Sequence, residues 1–192
     1  GWYKGLQLTA DFNSDLVHQG GVHWDISMHP YPSPEQDCRF WYRNSTVTDS
    51  GTSEQITMLN ARYFAAYIKN TYGSATHIIM SETGLSSKYN GTDIQYQQAA
   101  SVALAYYLAE FDSNIDEIDI PRVADDRSKR EEGWYLGFYT GGYAAEKLSV
   151  NVFRYMDTTS WSGQTSSYLV YANIKSWGDL VPGFNGNKFT KN

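Results

Sequence analysis

With 192 residues, 41% of them hydrophobic and only 19% charged, the chain can bury a sizeable core and lies outside the composition of disordered proteins. A net charge of −6 with no clustered Lys/Arg stripe argues against a nucleic-acid or anionic-membrane partner, because such binding rests on neutralising phosphates. One globular domain over residues 1–192 is expected.

Residues 1–23 are polar, with a weak apolar spacing at Leu6, Leu8, Phe12 and Leu16 that fits a short helix. Gly1-Trp2-Tyr3 shows neither the charged nor the apolar region of a signal peptide, and no run in the chain reaches membrane-spanning length. Trp24 to Met28 reads as a strand. It is stopped by His29-Pro30-Tyr31-Pro32-Ser33-Pro34, where proline removes ladder donors and blocks a helix. The connection to Gly51 is long, which in a compact domain points to function or disorder, and it carries Phe40-Trp41-Tyr42. Aromatic residues make up 16% of the chain, a density that suits surfaces binding planar or sugar-ring ligands, with Trp41 a candidate stacking platform. Cys38 is the single cysteine, which excludes a disulfide-stapled scaffold and fits a cytosolic or a bacterial secreted protein.

Thr52-Ser53-Glu54-Gln55 matches a capping box, and apolar residues recur from Ile56 to Ile68, so a helix is expected from Thr52 to just before Gly73. His77-Ile78-Ile79-Met80-Ser81-Glu82-Thr83-Gly84 follows, an apolar run that ends in one carboxylate and then a glycine. This reads as a buried parallel strand delivering Glu82 to a sheet rim; the bland alternative is a carboxylate that caps the next segment or binds an Arg. Thr92-Asp93-Ile94-Gln95 is a second capping box. It opens an Ala-rich helix to Phe111 whose small residues allow close packing on a sheet.

Ile115 to Arg122 alternates apolar and acidic residues and reads as a third strand, ending near Asp125-Asp126. Leu148, Val152, Tyr155 and Met156 mark a last amphipathic helix. Tyr168 to Ile174 reads as a terminal strand, and residues 175–192 as a loosely packed tail. The alternation of strand and helix predicts an α/β fold of parallel βα repeats, in which polar groups at C-terminal strand ends carry the chemistry. Those groups are His29 and Tyr31, Glu82, then Arg122 and Asp125.

Other chemistries find less support. His18, His23, His29 and His77 form no His-x-x-x-His pair and no EF-hand pattern occurs, so no metal and no cofactor is expected. No Gly-x-Ser-x-Gly pentapeptide is present.

His29-Pro30-Tyr31-Pro32 and Ile79-Met80-Ser81-Glu82-Thr83-Gly84 resemble the sixth and seventh strands of the (β/α)8 glycoside hydrolases of the clan A type. Gln97-Gln98-Ala99-Ala100, Ile118 to Asp125 and Lys147 to Asp157 resemble an uncharacterised bacterial group of such barrels, and the likeness covers most of residues 15–160. The resemblance implies a partial TIM barrel, strands six to eight with a terminal strand, from a retaining hydrolase of polysaccharides or oligosaccharides that is secreted or cell-surface. Glu82 would be the nucleophile, and His29, Tyr31, Trp41, Arg122 and Asp125 would contact carbohydrate.

The mechanism needs two carboxylates about 5 Å apart. In that clan the second is a Glu after an Asn at the end of the fourth strand, and the chain has no Asn-Glu pair. The chain alone is therefore expected to be an inactive portion of the enzyme, with the acid/base elsewhere. Asp125 or Asp126 could supply it; the bland alternative pairs them with Arg122 or Arg127. A partial sheet has unpaired edges, through which copies are expected to associate. The competing class is a non-catalytic carbohydrate-binding or structural domain of the same fold.

Overall fold

The computed structural model describes residues 5–126, 134–155 and 161–185. It is a mixed α/β fold whose centre is a small parallel sheet: β1 (Ile26–Met28), β2 (Ile78–Met80) and β5 (Glu117–Ile118), side by side in chain order. Ile26 pairs with Ile78 and Met28 with Met80, while Ile79 pairs with Glu117. The described residues form no complete barrel.

Helix α2 (Ala61–Tyr72) connects β1 to β2, and α3 (Gln95–Phe111) connects β2 to β5. Ile78 and Met80 are fully buried in the core that also holds Ala65 and Ile68 of α2 and the alanines of α3. Side chains alternate across a strand, so Ser27, Ile79 and Ser81 point the other way. Ser27 and Ser81 there hydrogen-bond to each other, and Ser27 and Glu117 are exposed. One face of the sheet is thus helix-covered and the other is open.

α3 buries Ala99, Ala100, Ala103 and Ala105, the close packing expected of small residues. Its polar members are satisfied: the amide of buried Gln98 donates to the Leu85 carbonyl at 2.8 Å, and the Ser101 hydroxyl donates to the Cys38 carbonyl at 2.6 Å. Burial pushes the Cys38 thiol up to about 12, as expected of an inert core cysteine.

Local differences from the sequence reading have local causes. α2 starts at Ala61, not Thr52, because Asn60 organises the preceding loop. Its Oδ1 accepts the Thr57 N–H at 2.9 Å, and its Nδ2 donates to the Thr48 and Gln55 carbonyls at 2.9 and 3.0 Å. Ile56 and Leu59, which suggested helical period, pack from that loop. Thr92 does not cap α3, since it pairs in the antiparallel hairpin β3 (Lys88–Tyr89) and β4 (Thr92–Asp93). Asn90 and Gly91 turn it with φ of 48° and 78°, the mirror-image turn that Asn-Gly favours. The Asp93 carboxylate takes the Gln95 N–H instead, at 2.9 Å.

α1 (Gly5–His18) is the expected first helix, but it buries no residue. α4 (Ser149–Tyr155) is the expected late helix, and Met156 lies outside the described residues. It is followed by a short α5 (Trp161–Ser166).

The expected terminal strand is a 3-10 helix, Leu169–Ala172, ended by Asn173 in the left-handed region at φ 56°. A short apolar run carries no period long enough to separate the two outcomes. Of the expected tail, residues 186–192 lie outside the described residues and the part through 185 holds two buried side chains. Trp177 and Val181 are buried, and Ser176 and Asp179 make a reciprocal capping box.

Candidate functional site

The mouth lies beyond the C-terminal ends of β1 and β2. The Thr83 N–H donates to the Asp119 carbonyl at 3.2 Å and its hydroxyl to the same oxygen at 2.8 Å, which continues the ladder past Met80 and fixes the backbone on either side of Glu82. On the neighbouring strand end the Met58 N–H donates to the Pro30 carbonyl at 3.1 Å, holding the His29-Pro30-Tyr31 turn against the α2 loop.

These two anchors bring three groups together. His29 Nδ1 lies 3.1 Å from Glu82 Oε2, with side chains 56% and 42% exposed, so the pair is open to solvent. The Tyr31 phenol is the third group. Burial, then hydrogen bonding and charge from Glu82, hold it above its ordinary value; the Arg122 charge pulls it down, and the Glu35 charge adds to the rise.

Gly84 explains why a glycine closes this strand. A Cβ there would stand 2.4 Å from Tyr31 Cε1 and 2.9 Å from Leu136 Cδ1, so any side chain would push the tyrosine off Glu82. Trp134 lies edge-on to the Tyr31 ring at 5.7 Å and is part-exposed. The sequence reading did not find Trp134 or Glu35. Neither sits at a strand end or in a motif, and only the fold brings them near Tyr31.

Trp41 is placed otherwise than expected. It is 7% exposed, in the core between Phe40 and Tyr42, and offers no open ring face to a sugar. Its neighbour Arg39 holds the long loop by a two-oxygen contact with Asp37 and by lying over the rings of Tyr42 and Tyr89 at 4.8 and 5.6 Å. Phe40 and Trp41 are therefore core residues, while Tyr42 is 49% exposed.

Asp125 is also committed elsewhere. Its Oδ1 lies 2.6 Å from Lys147 Nζ, with side chains 9% and 2% exposed, and accepts the Gly137 N–H at 2.9 Å. Lys147 also donates to the Ser87 hydroxyl at 2.8 Å and the Tyr135 carbonyl at 3.1 Å. Burial draws the Lys147 ammonium below its ordinary value, opposed by Asp125. The partner is thus Lys147, not Arg122; Arg127, the other arginine weighed, lies outside the described residues. Arg122, at φ 80°, reaches Asp126 at 3.4 Å.

The strand ends opposite the mouth use carboxylates in plain structural roles. Asp25 Oδ1 accepts the His77 N–H at 2.7 Å, and Asp116 Oδ2 accepts the Ile78 N–H and Lys69 Nζ, each at 2.8 Å. Among the described residues no three His, Cys, Asp or Glu side chains gather as a metal would require. No helix among them is long and apolar enough to cross a membrane.

Fold and mouth together define an α/β protein with an open carboxylate–imidazole–phenol cluster at parallel strand ends. The chain belongs to the DUF5722 family, a family of unknown function, whose model matches residues 1–180. No curated protein and no solved structure matches it.

Proposed function

We propose that the chain is the C-terminal portion of a (β/α)8 retaining glycoside hydrolase acting on a polysaccharide or oligosaccharide. β1, β2 and β5 would be its sixth to eighth strands. Sequential parallel order with helices over one face suits a barrel wall better than a doubly wound sheet, where helices cover both faces.

The observation that carries the reading is the setting of Glu82: solvent-open at a strand end, with His29 and Tyr31 against it. Neighbouring groups that hold a carboxylate in place orient it for attack on an anomeric carbon. Trp134, beside Tyr31, takes the stacking role first given to Trp41. Glu82 forms the glycosyl ester, and a carboxylate outside the chain protonates the leaving oxygen and then activates water.

A second reading keeps the fold and the sugar but not the turnover. What favours it is that both acids weighed as the second carboxylate are engaged, Asp125 by Lys147 and Asp126 by Arg122. Glu82→Gln separates the two readings in the gene product as the cell makes it. Loss of glycan turnover with glycan binding retained supports the nucleophile; unchanged turnover removes it.

A further inference from the structure

We infer that Lys147 is a positioning residue for the mouth, acting through the segment 134–137 to set Trp134 beside Tyr31. The inference rests on the carbohydrate reading above and names what orients its stacking ring.

The segment lies between two surfaces. Trp134 faces the Tyr31 ring at 5.7 Å, and Leu136 Cδ1 and Tyr31 Cε1 both crowd the space over Gly84. Tyr135, between them, faces elsewhere, with the Lys88 ammonium over its ring at 4.5 Å. This is the alternation of an extended stretch, in which every second side chain shares a side. One backbone therefore presents Trp134 and Leu136 to the mouth together.

What holds that backbone is polar. The Tyr135 carbonyl accepts from Lys147 Nζ at 3.1 Å, from the Ser87 N–H at 2.9 Å and from the Ser87 hydroxyl at 3.1 Å, more donors than its two lone pairs require. Two residues on, the Gly137 N–H donates to Asp125 Oδ1 at 2.9 Å and the Gly137 carbonyl accepts from the buried Gln98 amide at 3.3 Å. A Cβ on Gly137 would overlap the backbone of Ala124 and Asp125, so the segment lies flat against its support. Lys147 Nζ also donates to Asp125 Oδ1 at 2.6 Å, which ties the two pins into one clamp.

The side chains of the segment explain why a clamp is needed. Leu136 is buried, but Trp134 and Tyr135 are part-exposed, so apolar packing alone does little to fix the indole. A ring left part-exposed on a pinned backbone loses little freedom when a ligand stacks on it, which is the condition for a preorganised contact. His29 and Glu82 are held by their own strand ends and stay in place without the clamp.

Lys147→Met with Asp125→Leu removes the clamp and leaves no lone buried charge. The test labels the gene product as the cell makes it with 5-fluorotryptophan and assigns the Trp134 fluorine signal by its absence from Trp134→Phe. In the double variant that signal should move toward the position of free 5-fluorotryptophan while the other tryptophan signals stay. On an array of immobilised oligosaccharides the double variant should bind about 10-fold more weakly than the parent, and adding Trp134→Ala should cost nothing further. An unmoved Trp134 signal, or a full further loss from Trp134→Ala, overturns the inference. Should the double variant fail to fold, Ser87→Ala, which removes one of the three donors, decides: a smaller shift of the Trp134 signal alone supports the clamp, and no shift overturns it. A parent that binds no oligosaccharide would sink the carbohydrate reading, and the fluorine signal would still decide whether Lys147 positions the ring.

Discussion

Two carboxylates near strand ends meet a basic side chain, with opposite results. Asp125 is sealed with Lys147, the side chains only 9% and 2% exposed, and its partner has further acceptors on Ser87 and Tyr135. Glu82 meets His29 in the open, 42% and 56% exposed, with the Tyr31 phenol under its influence. A buried, fully bonded ion pair has no lone pair to spare for a substrate, whereas an exposed one adds little stability and is available for chemistry. Of the two acids, the one that contributes less to the fold is the one free to act.

The sharpest way to break that contrast is Lys147→Met, which leaves Asp125 buried without its cation. It should cost about 3–5 kcal/mol, lowering the thermal midpoint by roughly 10 °C in circular dichroism. Adding Asp125→Leu should recover most of the loss. A single variant as stable as the parent would show that the pair holds nothing together.

Gly84→Ala comes next. Its methyl cannot coexist with Tyr31 and Leu136 where they stand, so overpacking should cost about 1–3 kcal/mol in urea unfolding. The Tyr31–Glu82 contact should be lost with it.

Tyr31→Phe sharpens the electrostatics of the mouth. The folded phenol is held above its ordinary value, so its stabilisation is complete below about pH 10 and is lost as pH climbs past that value, where only the unfolded phenol ionises. The parent should therefore lose stability above about pH 10 more steeply than Tyr31→Phe. In absorbance titration of the native protein the variant should lack one late-titrating phenol.

The smallest stability effect belongs to Glu82→Gln, expected within about 1 kcal/mol of the parent because the pair is solvent-open. A larger loss would make Glu82 a structural residue.

The parallel rhythm of β1, β2 and β5, the Ala-rich α3, and the meeting of His29, Tyr31 and Glu82 were legible in the sequence. Each rests on a local signal: an apolar run with a polar end, a helical run of small residues, prolines that stop a strand. Other features depend on partners remote in sequence. Trp41 and Asp125 carry no mark of the core or of Lys147, 22 residues away from Asp125, that claims it. Thr52 and Thr92 each satisfy a capping pattern, but Asn60 and the Asn90-Gly91 turn compete for the same backbone and win. Trp134 and Glu35 come near Tyr31 only through loop packing.

The central claim is that Glu82 attacks the sugar. Incubating the natural gene product with an activated 2-deoxy-2-fluoroglycoside and mapping the adduct by mass spectrometry tests it most directly, because such reagents arrest the glycosyl ester that a retaining mechanism must form. The account predicts one glycosyl unit on the peptide containing Glu82, and none in Glu82→Gln. Glycan turnover with the label on another carboxylate, or with Glu82→Gln as active as the parent, would contradict it.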